Sequence, residues 1–441
     1  MTVSLPYRRD RRYLTGVDWI IGVLDRMTKR ETGTGNASQI ILEIEGAVCG
    51  ARLRETVQAF VARFPVLSGR TARDWLNLAP FWKMDGGTGH CCTEVLPEEA
   101  DTGSAIAALS AASNAPFPTE RDHLVFRLVH AGPGRSCLGM AFDHRVFDAR
   151  GAELFLDRLA GFAAGDTSPP PLELARPVRE PHLSDWAEKF AAGRNVNRAL
   201  RACASAHPAR LPLPGGRPGF QCRIQALDEA ASRRLTESAY ALGGHLVKMP
   251  FLLARAAQAV DLVFAGRGRA PGHYLIPVSI DRRPPGSGSQ PLFFNHISFL
   301  YFLLARRDFE STASLVKSIS RQMYEQTKSG LPGDFEQAMF LTRILPVGAL
   351  ASISRKLFRG NFGTFAFSFL GETACRTREF LGHRILNLLH TPRVSTPPGL
   401  GIFLNEYAGR TNIAVANVKG LLTEEEAVGL ARCFLPDNPR T

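Results

Sequence analysis

The side chains best suited to proton transfer lie in one short run, Asp143-His144-Arg145-Val146-Phe147-Asp148-Ala149-Arg150-Gly151, in which an imidazole precedes a carboxylate by four positions. Histidine takes and returns protons near neutral pH, and it serves as a general base only where its position is fixed. The run falls between an apolar strand pattern and a helical pattern, so it reads as a strand-to-helix loop. In such a loop Asp148 folds back to fix the turn while His144 projects from the strand end. The same spacing also suits an ordinary histidine in a loop whose Asp148 merely caps the following helix, because an isolated HxxxD is weakly specific.

Other chemistry has little support. His90-Cys91-Cys92 places potential ligands on adjacent residues, whereas zinc sites space them by about two to four, and no metal is expected. The sequence contains no GxSxG elbow, P-loop or GxGxxG motif, which argues against a serine hydrolase and against nucleotide-phosphate cradles. The eight cysteines form no CxxC pair, so a reducing, cytoplasmic setting is expected rather than a disulfide framework. Arg8, Arg9, Arg11 and Arg12 resemble a twin-arginine signal, but Asp18 and Asp25 interrupt the following apolar stretch and export is not expected. The most apolar run, 297–305, has about half the ~20 residues of a spanning helix, and no membrane span is expected.

The elements that must hold the loop are legible around it. Leu124, Phe126 and Leu128 alternate with Val125, Arg127 and Val129, a Gly-Pro-Gly turn follows, and 137–142 forms the second strand of a hairpin. Phe155, Leu159 and Phe162 recur with helical spacing until Gly165, and Leu53, Val57, Phe60, Val61 and Phe64 mark a helix before Pro65. Residues 166–219 are rich in Pro and Arg around a helical stretch at 186–204 and read as a crossover between lobes at 1–165 and 220–441. The second lobe is expected to hold a helix capped by Asp228, an apolar helix at 251–263 and a strand at 273–280. It continues with a strand at 295–304 apolar on both faces, helices at 310–329 and 335–358, a strand at 364–369, a hairpin turning at Ala408-Gly409-Arg410, and a helix after Thr423. The class is α/β.

Fifty-three basic against 41 acidic residues give a net charge of +12, which favours an anionic partner. Only eight of the basic residues are lysine and the arginines are spread along the chain, a poor match to the clustered charge of a nucleic-acid binder. A protein binding nucleic acid nonspecifically would lose affinity steeply with salt; no nucleic-acid partner is expected.

Taken with its surroundings, the loop resembles the HHxxxDG signature of the chloramphenicol acetyltransferase-like superfamily, which includes nonribosomal condensation domains, plant BAHD acyltransferases and wax ester synthase relatives. Further segments resemble that superfamily in order: Ile44-Glu45-Gly46 through Arg63-Phe64-Pro65-Val66-Leu67, Pro277-Val278-Ser279-Ile280-Asp281-Arg282-Arg283 followed by Asn295, Phe367-Ser368-Phe369-Leu370-Gly371, and Pro397-Pro398-Gly399-Leu400-Gly401. The resemblance spans about 36–435. It implies two lobes, each a mixed β-sheet flanked by helices, with an active-site channel between them, and an acyltransferase that moves an acyl group from acyl-CoA or an acyl carrier protein to a hydroxyl or amine. On that resemblance His144 is the general base and Asp148 the structural carboxylate, with Arg282 or Arg283 as its partner. Asn295 and Ser368 are the positions that would stabilise the oxyanion or place substrate. The phosphopantetheinyl or CoA thioester is then a co-substrate, no cofactor is held permanently, and a monomer is expected. Two positions depart from the pattern. Asp143 replaces the first histidine and brings a carboxylate next to His144, and Ala149 replaces the glycine, where a Cβ would strain the loop if positive φ were needed. An inactive member serving as a carrier-protein docking module is the alternative.

Overall fold

The computed structural model describes residues 11–435 except 75–77, 85–87, 120, 167–185, 244–247, 284–289 and 358–359. The expected hairpin forms from Leu124–His130 and Arg135–Asp143, and Gly132 and Gly134 supply the positive φ that its turn needs. Both strands are buried on both faces: Phe126 and Met140 pack with Phe60 and Phe155 from the helices Gly50–Val61 and Ala149–Ala163, and Val129 packs with Leu109 of the helix Thr102–Ala112. Each such buried side chain contributes about 1.5–3 kcal/mol, so the hairpin is a firm platform for the loop at its end.

That hairpin belongs to a six-stranded sheet ordered Glu379–Phe380, His383–Thr391, Ala37–Glu45, Arg135–Asp143, Leu124–His130, Cys92–Val95. A second six-stranded sheet runs Ile297–Ala305, His273–Asp281, Ala366–Glu372, Leu400–Tyr407, Arg410–Val418, Phe220–Ala226. A three-stranded sheet of Arg11–Tyr13, Pro80–Lys83 and Arg70–Arg73 completes the set. Each large sheet mixes parallel and antiparallel neighbours and carries helices, giving two lobes as expected.

Three features differ from the sequence reading. The strands Glu379–Phe380 and His383–Thr391, which a division at residue 220 puts in the second lobe, hydrogen-bond into the first sheet. The apolar strand Ile297–Ala305 is an edge, with buried and half-buried residues alternating. Its second face is apolar because helices cover it. Its free backbone edge is closed by two glutamines one turn apart on the helix Thr312–Lys328: Gln326 pairs with both backbone groups of Tyr301, and Gln322 with those of Leu303. Third, Pro346 separates Leu331–Thr342 from Val347–Leu357 where one helix was expected.

The helix Met249–Gly266 is long and apolar enough to cross a membrane. It is the central helix of the second lobe, burying Phe251, Leu253, Val260 and Phe264 against the sheet. Of the Pro/Arg-rich crossover, 167–185 lies outside the described residues and the rest contains the helix Trp186–Ser205.

Candidate active site

The strand Arg135–Asp143 delivers His144 at its end, and Asp148 is the N-cap of Ala149–Ala163, its Oδ1 accepting the Gly151 N–H at 2.7 Å. The rest of the carboxylate is held from the other lobe. Arg283 grips both oxygens, Nη1 to Oδ2 at 2.9 Å and Nη2 to Oδ1 at 2.8 Å, and the His296 N–H reaches Oδ2 at 2.9 Å. The two side chains are 3% and 2% exposed. Burial pushes the Asp148 carboxyl upward, but Arg283 and the His296 N–H outweigh it and leave the group below its ordinary value. Of the two arginines considered, Arg283 makes this pair; Arg282 is half-exposed and pairs with Glu336 at 2.6 Å.

The segment 294–296 runs along the loop and pins its backbone. The Phe294 N–H donates to the Val146 carbonyl, and Asn295 Nδ2 donates to the His144 carbonyl at 3.0 Å. The Asn295 N–H is anchored by Asp18 Oδ1 at 3.0 Å, from the helix Gly16–Thr32. Phe293 packs its ring, tilted, 5.0 Å from Phe147 and 5.5 Å from Phe64, so the apolar side of the loop is fastened as well. Asn295 was expected to face the reacting carbonyl. It is instead buried beneath the loop and absent from the cavity wall, its amide spent on the His144 carbonyl.

His144 lines a cavity of about 510 Å³ between the lobes, together with Asp148, Ser279, Phe299, Ser368 and His390. Its Nδ1 is buried with no hydrogen-bond partner among the described residues, which leaves Nε2 as the nitrogen to meet a ligand. Ser368 lies on the strand Ala366–Glu372 and accepts a hydrogen bond from Ser279 at 3.3 Å, so two hydroxyls stand together on the second-lobe wall.

Asp143 does not turn toward His144. Its carboxylate accepts from Arg145 Nη2 at 2.6 Å and lies 2.9 Å from His123 Nδ1; burial opposes ionisation, yet these partners hold it well below the usual carboxylate range. The charge that replaced the motif's first histidine is therefore neutralised locally. Ala149 has an ordinary helical backbone and lines the cavity, so its Cβ brings no strain. The glycine that matters sterically is Gly151: a Cβ there would stand 2.2 Å from the Leu292 carbonyl oxygen. Gly151→Ala is expected to cost about 1–3 kcal/mol by overpacking, visible as a lowered melting temperature; an unchanged melt would show that the Leu292 segment yields freely.

One group of site residues was missed by the sequence reading. His390 Nε2 lies 2.9 Å from Oε1 of Glu153, a fully buried carboxylate that also takes Arg150 at 2.7 Å and the Ala374 N–H at 2.9 Å. Burial opposes the charge on Glu153, but the His390 hydrogen bond and Arg150 prevail and hold the carboxyl below its ordinary value. Arg150 also donates to the Leu370 and Glu372 carbonyls, tying the first turn of the loop's helix to the second-lobe strand. Glu153 and His390 are 237 positions apart, so no local pattern joins them.

No family model and no curated protein matches the chain. Solved structures do. The first condensation domain of the calcium-dependent antibiotic synthetase, in complex with a substrate analogue, aligns at 19% identity with TM-score 0.65, covering 97% of this chain and 95% of that one. Trichothecene 15-O-acetyltransferase from Fusarium sporotrichioides aligns at 14% identity with TM-score 0.68, covering 97% and 96%. The starter condensation domain of rhizomide synthetase, as a mutant in complex with C8-CoA, aligns at 14% identity with TM-score 0.60, covering 96% and 93%. The chain thus has the two-lobed chloramphenicol acetyltransferase-like fold over nearly its whole length.

Proposed function

We propose that the protein is an acyltransferase that moves an acyl group from a thioester, on CoA or on the phosphopantetheine of a carrier protein, to a hydroxyl or amine. The observation that carries this reading is His144, whose backbone is pinned from the second lobe and whose ring lines the cavity between the lobes. In the reaction, Nε2 of neutral His144 takes the proton of the acceptor as its oxygen or nitrogen bonds to the thioester carbonyl carbon. The tetrahedral oxyanion then collapses, the C–S bond breaks, and the imidazolium returns the proton to the leaving thiolate. No acyl-enzyme forms, and no cofactor is consumed. Asp148 acts through Arg283 as a structural carboxylate and does not orient the imidazole. Ser368 lines the same cavity, and its hydroxyl is the proposed oxyanion donor. Acetyl transfer is the reaction named for one of the two-lobed neighbours above, the trichothecene 15-O-acetyltransferase, and the net charge of +12 suits an anionic donor.

The test is thiol release from acyl-CoAs and acyl-phosphopantetheine carriers in the presence of alcohol and amine pools, with mass spectrometry of the products. Acceptor-dependent thiol release is expected. Ser368→Ala is expected to lower kcat by on the order of 10² with little change in KM, as loss of a transition-state donor does; an equal fall in affinity alone would make Ser368 a packing residue. Carrier binding without any turnover would instead make the chain a docking module.

A further inference from the structure

We propose that a second cavity, beside the one that His144 lines, receives the hydrocarbon chain of the donor's acyl group; this rests on the acyl-transfer reading above. The second cavity measures about 450 Å³ and no charged side chain lines it among the described residues, whereas the His144 cavity is bordered by Asp148, Arg150, Asp281, Arg283 and Arg393. Its walls come from four helices, Gly16–Thr32, Trp186–Ser205, Leu331–Thr342 and Val347–Leu357, and from the outer face of the second sheet at Phe299 and Tyr301. That is the helix layer which leaves the second face of the edge strand Ile297–Ala305 apolar.

Leu24, Ser279, Phe299 and Phe403 border both cavities. They form a neck between the chamber that holds the imidazole, whose wall carries charged groups, and a chamber with no charged side chain in its lining among the described residues. A ligand reaching across that neck has a polar, reacting end and a slender apolar end. An acyl thioester with a saturated chain has that form: its carbonyl stays beside His144 and Ser368 while its tail passes between Phe299 and Phe403. The volume lies within the ~300–1,000 Å³ of small-molecule pockets, and the neighbouring apolar surface supplies binding energy that grows with each methylene buried.

The experiment is a series of saturated acyl-CoAs from acetyl to dodecanoyl, read as kcat/KM and, separately, as binding affinity to the His144→Ala protein. Each added methylene is expected to raise kcat/KM by about fourfold until the chamber is full. Ala338→Phe, which projects a ring into the apolar chamber, is expected to lower the ratio of dodecanoyl to acetyl kcat/KM at least tenfold. That ratio is internal to one protein sample, so partial misfolding moves both values and leaves it unchanged. A milder Ala338→Val variant should move the ratio in the same direction by less. Turnover that is flat across chain lengths, or a ratio untouched in Ala338→Phe, overturns the proposal while leaving acyl transfer standing. Affinity that climbs with chain length and falls in Ala338→Phe, with no turnover for any chain, upholds the apolar chamber and removes the acyl-transfer reading instead.

Discussion

His144→Ala is expected to lower acyl-transfer turnover by about 10²–10⁴, the usual worth of a positioned general base, while leaving the melting temperature close to that of the parent. The second half of this expectation follows from the geometry. The imidazole makes no side-chain hydrogen bond among the described residues, since its Nδ1 is buried without a partner. The bond that fixes the residue runs from Asn295 to the His144 carbonyl, which alanine keeps. A large kinetic loss with an unchanged melt would therefore separate catalysis from folding. His390 lines the same cavity but cannot replace the missing base at the loop, because its Nε2 is committed to Glu153. Wild-type turnover in His144→Ala would remove this residue from the reaction.

Arg283→Ala is expected to cost about 3–5 kcal/mol, the penalty for leaving one partner of a buried ion pair uncompensated. Asp148 would remain buried at a helix start with only the Gly151 and His296 N–H groups. The pH dependence of stability carries the signature. In the parent, Asp148 titrates below its ordinary value, so its stabilisation is complete above the unfolded value near ~3.9 and is lost as pH falls through the lower folded value. Without the guanidinium, burial is the dominant influence left and raises the carboxyl, so the variant's penalty should shrink on acidification through the carboxylate range. Denaturant melts of both proteins across acid pH measure this difference directly. A penalty independent of pH would mean that Arg283 acts by packing alone. Turnover should fall too, because Arg283 secures the end of the loop whose start carries His144.

Much of this arrangement is local and was readable in the residue order. The hairpin 124–143 follows from two apolar runs around a glycine turn, the helix after Asp148 from its apolar spacing, and the candidate base from its place between them. Such features depend on neighbours a few positions apart, and their physics is the pairing of adjacent strands and the burial of one helix face. The apolar edge strand was also visible, although its position in the sheet was not, because a residue covered by a helix and one covered by a second sheet look alike in sequence.

The roles within the site were decided by contacts between distant segments. Asn295 has the chemistry of an oxyanion donor, but the carbonyl of His144 lies closer and takes its amide. Arg282 and Arg283 are adjacent and chemically equal, and the segment just past the strand His273–Asp281 points only one of them at Asp148. Asp143 was a charge beside the base until Arg145 and His123 claimed it, and Glu153 and His390 carried no signal at all. Residue order thus determined the elements, the loop and the candidate base, since these rest on short-range propensity and burial. Only the tertiary structure decided which side chains share a hydrogen bond and which border the cavities, since that depends on how the two lobes close on one another.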